Sequence, residues 1–173
     1  MFPENNKYGN TKTSQLKNNN NNKFGPQHLF DGVNDDSGYE NNWATSSSGK
    51  HPWFQVKFTE TIFIAGLEIR AFGFEVKKTG FSFQKPFNMH FQNTGGFQSA
   101  DIRAGMKGTE SAGGMSGSLR ITSPVRTHYV GPAGQGETVY LSFPHPVRAD
   151  FLLIQLIDVN SATQLSEVKV IKC

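Results

Sequence analysis

Phe54, Val56 and Phe58 alternate with Gln55 and Lys57, a period of two that predicts a half-buried strand opening at Trp53. The run from Ile62 to Arg70 predicts a longer strand, with Gly66 marking a bulge. Further period-two segments follow at Phe87/Met89/Phe91, Leu119/Ile121, Val139/Leu141/Phe143, Phe151/Leu153 onward, and Val168/Val170 with Glu167 and Lys169 opposite. Turn clusters separate them: Asn34 to Gly38, Lys78-Thr79-Gly80, Asn93 to Gly96 and Gly131 to Gly134. No amphipathic helix of ten residues can be found. Seven to nine strands cannot each bury one face in a single open sheet, so the pattern predicts an all-β, jelly-roll-like antiparallel β-sandwich. Asp101 to Gly117 carries five glycines and reads as a long loop or insertion.

The first 23 residues belong to a different zone. Asparagines alternate with single lysines, five of them run from Asn18 to Asn22, and Leu16 is the only aliphatic side chain after Met1. Such a segment buries too little apolar surface to offset about 1–2 kcal/mol per residue of backbone ordering. Residues 1–23 are therefore expected to be a flexible arm that orders only against a partner, and residues 24–173 to be the sandwich domain.

Composition narrows the class. Fifteen Phe, two Trp and four Tyr against 18% charged residues mark a chain that folds. No apolar run approaches the length of a transmembrane helix. A net charge of +3 with scattered Lys and Arg does not imply nucleic acid. The only cysteine, Cys173, is the last residue, so no internal disulfide forms and stability must come from the core. No charged-then-apolar leader follows Met1. The expected compartment is intracellular if Met1 is the native start, and extracellular if the chain is a fragment.

Three segments together resemble the discoidin, or coagulation-factor type C, family of galactose-binding-like sandwiches. The first is Phe24-Gly25-Pro26-Gln27-His28-Leu29-Phe30-Asp31-Gly32, similar to that family's Gly-Pro…Asp-Gly turn. The second is Trp43-Ala44-Thr45-Ser46-Ser47 followed by Trp53-Phe54-Gln55-Val56-Lys57-Phe58. The third runs from Phe143 to Ile154 and ends in Ser166-Glu167-Val168-Lys169-Val170, which resembles the returning strand pair that closes the fold. The family's partner for a terminal cysteine is missing, and the stretch from Asp31 to Trp43 is longer than its counterpart.

The resemblance implies a structural Ca²⁺ that ties the Asp-Gly turn to the last strand. Asp31 and Glu167 would give carboxylates, Asn41 (or Asp36) a side-chain oxygen, and His28, Val33 and Ser166 backbone carbonyls, a set of hard oxygens of the kind Ca²⁺ requires. The alternative is that Asp31 caps its own turn while Glu167 faces water. The resemblance also implies that loops at one end of the sandwich engage the ligand. His51 sits where fucose-binding members use a histidine, but their Arg-x-Asp is absent, since Arg70 is followed by Ala71-Phe72-Gly73. Arg70, Phe72, Phe74, Lys77, Lys78 and Phe81 form a stretch of phenylalanines beside lysines that could stack on a sugar, anchor a protein or enter a membrane interface. The same phenylalanines alternate as strand residues do, and core is the competing reading. Trp43 and Trp53 are expected to be buried.

Catalytic patterns are poor. Ser14-Gln15-Leu16-Lys17 lies in the polar arm, the five histidines lack metal-ligand spacing, and Gly131 to Gly136 precedes no helix that could cradle phosphate. The expected function is a non-catalytic recognition module for a glycan or protein partner. An intracellular structural subunit that uses its arm on a neighbour is the alternative, and phospholipid-surface binding a third.

Overall fold

In this computed structural model, the described residues are 8–13, 26–30, 32, 44–45, 49–72, 97–106, 124–134, 136–157, 160–161 and 164–173. Nine strands are defined among them: β1 Tyr8–Thr13, β2 Ala44–Thr45, β3 Gly49–Lys50, β4 Trp53–Ala71, β5 Ala100–Gly105, β6 Val125–Tyr129, β7 Thr138–Leu156, β8 Asn160–Ser161 and β9 Gln164–Lys172. A 3₁₀ turn, Pro26–Phe30, is the one helical element among the described residues. The expected strand pairs at Phe87–Phe91 and Leu119–Ile121 lie outside the described residues.

The molecule is an all-β antiparallel sandwich organised by two long strands. β4 and β7 pair along nearly their whole length, but the ladder breaks twice. Between Lys57↔Phe151 and Ile62↔Ala149, four residues of β4 face Asp150, and Thr59, Glu60 and Thr61 are exposed. Between Ile64↔Val147 and Gly66↔Ser142, Ala65 faces Phe143 to Pro146. Pro144 and Pro146 have no N–H to give the ladder, which explains why pairing lapses there. Such irregularities bend a strand and let it pass from one layer to the other.

Pairing beyond these two strands separates the layers. β1 and β5 join the segment 53–58/151–156, with β6 at the outer side of β5. β9 joins the segment 64–71 of β4, with β2 beyond it. Phe54, Val56, Leu152, Ile154, Leu156, Ala100, Ile102 and Ala104 from the first layer share one core with Leu67, Ile69, Val139, Leu141, Leu165 and Val168 from the second. Alternation therefore holds as the sequence predicts at 139–143 and 168–170. From Phe151 to Leu156 both faces are buried.

Four readings change. The two strands expected at 54–58 and 62–70 are one bent strand, with Gly66 at its bulge as anticipated. Asp101, read as the start of a loop, instead belongs to β5: Ile102 and Ala104 are fully buried between β7 and β6. The glycines that follow hid a short strand, Ala-Asp-Ile-Arg-Ala-Gly, whose Ala100, Ile102 and Ala104 alternate into the core. Within the stretch expected to be an arm, Tyr8–Thr13 forms β1 against β4, because an open edge gives even a polar segment backbone partners. The segments read as a returning pair, β7 and β9, do not pair with each other; β4 lies between them. Among the described residues no helix is long and apolar enough to cross a membrane.

Candidate functional site at one end of the sandwich

Both ends of β4 meet at the same end of the molecule. β3, which precedes Trp53, pairs with β8 through Gly49↔Ser161 and Lys50↔Asn160. Three residues after Ser161, Gln164 opens β9, and the Phe72 amide donates to its carbonyl at 3.4 Å. Three residues reach about 10 Å at most. His51 and Phe72 are thus brought to one rim, although 20 residues of chain and the whole core lie between them.

Backbone bonds tie the rim together. Leu156 N–H donates to the Pro52 carbonyl at 2.9 Å, Ile157 to Ser99 at 2.6 Å, Ser99 to Val130 at 3.0 Å, Ala133 to Phe97 at 2.9 Å and Ala71 to Glu137 at 2.9 Å. The side chain of Gln155, fully buried, donates its Nε2 to the His51 carbonyl at 3.4 Å and so helps hold that loop. His51 has φ of 54° and Ser99 φ of 43°, the two non-glycine residues in the left-handed region among those described. L-residues there carry a conformational cost, and such positions gather at functional sites where the surroundings impose them.

The rim offers a mixed chemistry. His51, Arg70, Trp53 and Phe72 are all half-buried, and Val130 is 75% exposed. Trp53 is thus less enclosed than expected. Tyr129 stacks on the buried Phe97, centroids 4.9 Å apart and planes within 8°. Burial, and secondarily the Glu137 carboxylate, raises the Tyr129 phenol above its ordinary pKa. Gly131 sits beside this pair with φ of 65°, and a Cβ there would press on the Tyr129 ring and on the Gln98 backbone. Ser99, Tyr129, Val130 and Glu137 were not singled out from sequence. In the sequence, Gly131 to Gly134 reads only as a turn between strands.

Of the residues the resemblance pointed to, Phe74, Lys77, Lys78, Phe81, Asp31, Val33, Asn41 and Asp36 lie outside the described residues, as does Trp43. His28 lies in the 3₁₀ turn, and that turn packs on β9, which carries the buried Ser166 and the half-buried Glu167. Among the described residues, no group of three or more His, Cys, Asp or Glu could hold a metal ion. Arg70 and Glu167, expected in two different sites, are directly opposed across β4 and β9 and share the outer face of their layer. Beside them, on the same face, Lys169 meets Glu68 at 3.5 Å.

A second polar group lies on the outer face of the other layer. Asp101 binds Arg103 Nη2 at 2.7 Å through one carboxylate oxygen, and its other oxygen is 2.8 Å from His128 Nδ1. Arg126 Nε donates to the Ala104 carbonyl at 2.9 Å, fastening the edge strand β6 to β5. This arrangement joins strands and presents no nucleophile.

No family model matches the sequence, and no curated protein matches it. Solved structures do match the fold. A fucolectin from Morone saxatilis (striped bass) serum superimposes with a TM-score of 0.65 at 16% identity, over 92% of this chain and 46% of that one. The chain thus spans about half that lectin's length. A Streptococcus pneumoniae fucose binding module gives 0.62 at 15% identity, covering 95% of this chain and 91% of that one. The family 32 carbohydrate-binding module of Clostridium perfringens NanJ, solved with galactose, gives 0.56 at 12%, covering 93% and 91%. The chain has the galactose-binding-like β-sandwich fold that these lectins and carbohydrate-binding modules share.

Proposed function

We propose that the protein is a non-catalytic glycan-recognition module that binds sugar at the rim formed by His51, Arg70 and Phe72. The observation that carries this reading is the convergence of His51 and Ser99, the two left-handed non-glycine residues among those described, on one loop end. Backbone bonds from four separate segments hold that end in place. Imidazole and guanidinium supply directional bonds to sugar hydroxyls, and a phenyl face stacks on the ring's C–H surface. Phe74, Lys77, Lys78 and Phe81 follow Phe72 in sequence and extend the same reading. The striped bass lectin is named a fucolectin and the NanJ module was solved with galactose, which supports a small neutral sugar as the ligand class. The residues do not reproduce the fucose-lectin set, because Ala71-Phe72 replaces the required x-Asp. A discoidin-type assignment within this fold belongs to the same proposal and rests on the three segments quoted above.

A glycan-array screen of the full chain tests it. Binding is expected, with at least a tenfold loss on His51→Ala and on Phe72→Ala while the melting temperature stays within a few degrees. An array with no signal, or binding indifferent to both substitutions, would overturn the reading. A structural Ca²⁺ is the second element of the proposal. It rests on the packing of the His28 turn on β9, the strand that carries Ser166 and Glu167, with Asp31, Val33 and Asn41 as the other donors. Arg70 opposite Glu167 works against it, since a guanidinium on the same face competes for that carboxylate. At 100 times its dissociation constant the ion would add about 2.7 kcal/mol, which raises the melting temperature by about 5–11 °C for a chain of this size. The same melting curve in millimolar Ca²⁺ and in chelator would dismiss the ion.

A further inference from the structure

β4 carries a segment whose sequence reads the same in both directions by chemical class: Phe54-Gln55-Val56-Lys57-Phe58. Its edge away from β7 is occupied by β1, through Tyr8↔Phe58, Thr11↔Val56, Lys12↔Gln55 and Thr13↔Phe54. We infer that this edge is a self-complementary docking strand, and that β1 is a removable strap that keeps a second copy of the chain from pairing with it.

An antiparallel two-fold centred on Val56 would set Phe54 against Phe58 of the second copy, Gln55 against Lys57 and Val56 against Val56. Phe54, Val56 and Phe58 are buried toward the core, while Gln55 and Lys57 lie on the other face. The two-fold therefore matches core-facing residues with core-facing residues, as a strand register must. No like charges are opposed, and the phenylalanine and valine pairs are of the types that stabilise neighbouring strands. A two-fold interface is also the commonest closed arrangement of identical chains. An uncovered edge of this composition is a template for association, and natural sheets cover or charge such edges. β1 covers this one with a segment, Tyr-Gly-Asn-Thr-Lys-Thr, that has little apolar content of its own. Its register also slips between Tyr8 and Thr11. β1 and β4 belong to one chain, so the strap meets its edge at an effective concentration above that of a second copy at micromolar protein. At micromolar protein the strap holds; once it is released, the edge is free to pair.

The test keeps the full chain. Adjacent residues of a strand point their N–H groups to opposite sides, so a Thr11→Pro, Lys12→Pro double variant removes one donor facing β4 whichever residue supplies it. Light scattering at tens of micromolar should give 19.1 kDa for the unaltered chain and twice that for the variant. Hydrogen exchange should find those amides of 54–58 that face away from β7 protected in both, and a synthetic peptide of residues 1–17 at millimolar concentration should return the variant to monomer. A folded monomeric variant, a dimer in which the amides of 54–58 facing away from β7 exchange freely, or a dimer indifferent to the peptide would each overturn the inference. Should the double variant not fold, the same measurements apply to a chain carrying a protease site in place of Asn18–Asn22, cut and then diluted. Loss of fold in that form too would also overturn it, since the edge would then be no acceptor.

Discussion

Alanine at Gly66 probes a close approach of two backbones, β4 and β7. Gly66 opposes Ser142 on one side and Ile171 on the other, so its strand is held from both directions. A Cβ at this position would land on the Leu141 carbonyl oxygen, with the Leu141 carbonyl carbon and Ser142 Cα each at 3.2 Å. All three are backbone atoms, and none can swing aside as a side chain would. Relief requires β4 and β7 to part locally. Overpacking of this kind costs about 1–3 kcal/mol. A ladder bond weakened by the parting adds about 1 kcal/mol, and alanine's smaller unfolded-state entropy returns about 0.4–1 kcal/mol. The net loss is about 2 kcal/mol, or about 4–8 °C in melting temperature. Gly136→Ala is the control, because its φ of 69° strains an alanine although nothing lies within 4 Å. That strain is worth about 1–2 kcal/mol and involves no second strand. Urea melts of both variants, with unchanged slopes, measure the difference. A Gly66→Ala protein within about 0.5 kcal/mol of the parent, where surface changes fall, would refute the collision argument.

Ile102→Ala should cost about 2–5 kcal/mol, as for a fully buried aliphatic side chain; a loss below about 0.5 kcal/mol in the same melts would mean that 100–105 is not core strand. The raised Tyr129 pKa means that the folded state holds the phenol proton more tightly than the unfolded chain does. Its stabilising contribution is complete below the ordinary tyrosine value of about 10 and is lost as pH rises from there through the folded-state value. Tyr129→Phe should therefore flatten the fall in stability above pH about 10, and Glu137→Gln should move the Tyr129 titration, followed by absorbance, toward lower pH. A Tyr129→Phe profile as steep as the parent's would contradict the burial of that ring.

Much of this architecture is legible in the chain because alternation is a local property. Phe54/Val56/Phe58, Val139/Leu141/Phe143 and Val168/Val170 each announce a buried face without reference to any neighbour, and Gly66 announces its bulge by interrupting the run from Ile62 to Arg70. Charge and composition likewise narrow the possibilities, with no apolar run long enough for a transmembrane helix and no basic cluster that implies nucleic acid. What the chain could not announce are features created by contact. Ala100 to Gly105 is a strand because β7 and β6 flank it, and its three apolar positions are too few to stand out beside the glycines that follow. Tyr8–Thr13 is a strand because β4 leaves an edge open. The bends in β4 and β7 turn two ordinary strands into the link between layers and carry Arg70 and Phe72 back to His51. The same pairing sets Arg70 opposite Glu167, although 96 intervening positions conceal that neighbour in the sequence. Periodicity reports which face of a strand is apolar, whereas a binding rim depends on which loops the closed sandwich brings together, and that is fixed only by register and tertiary packing.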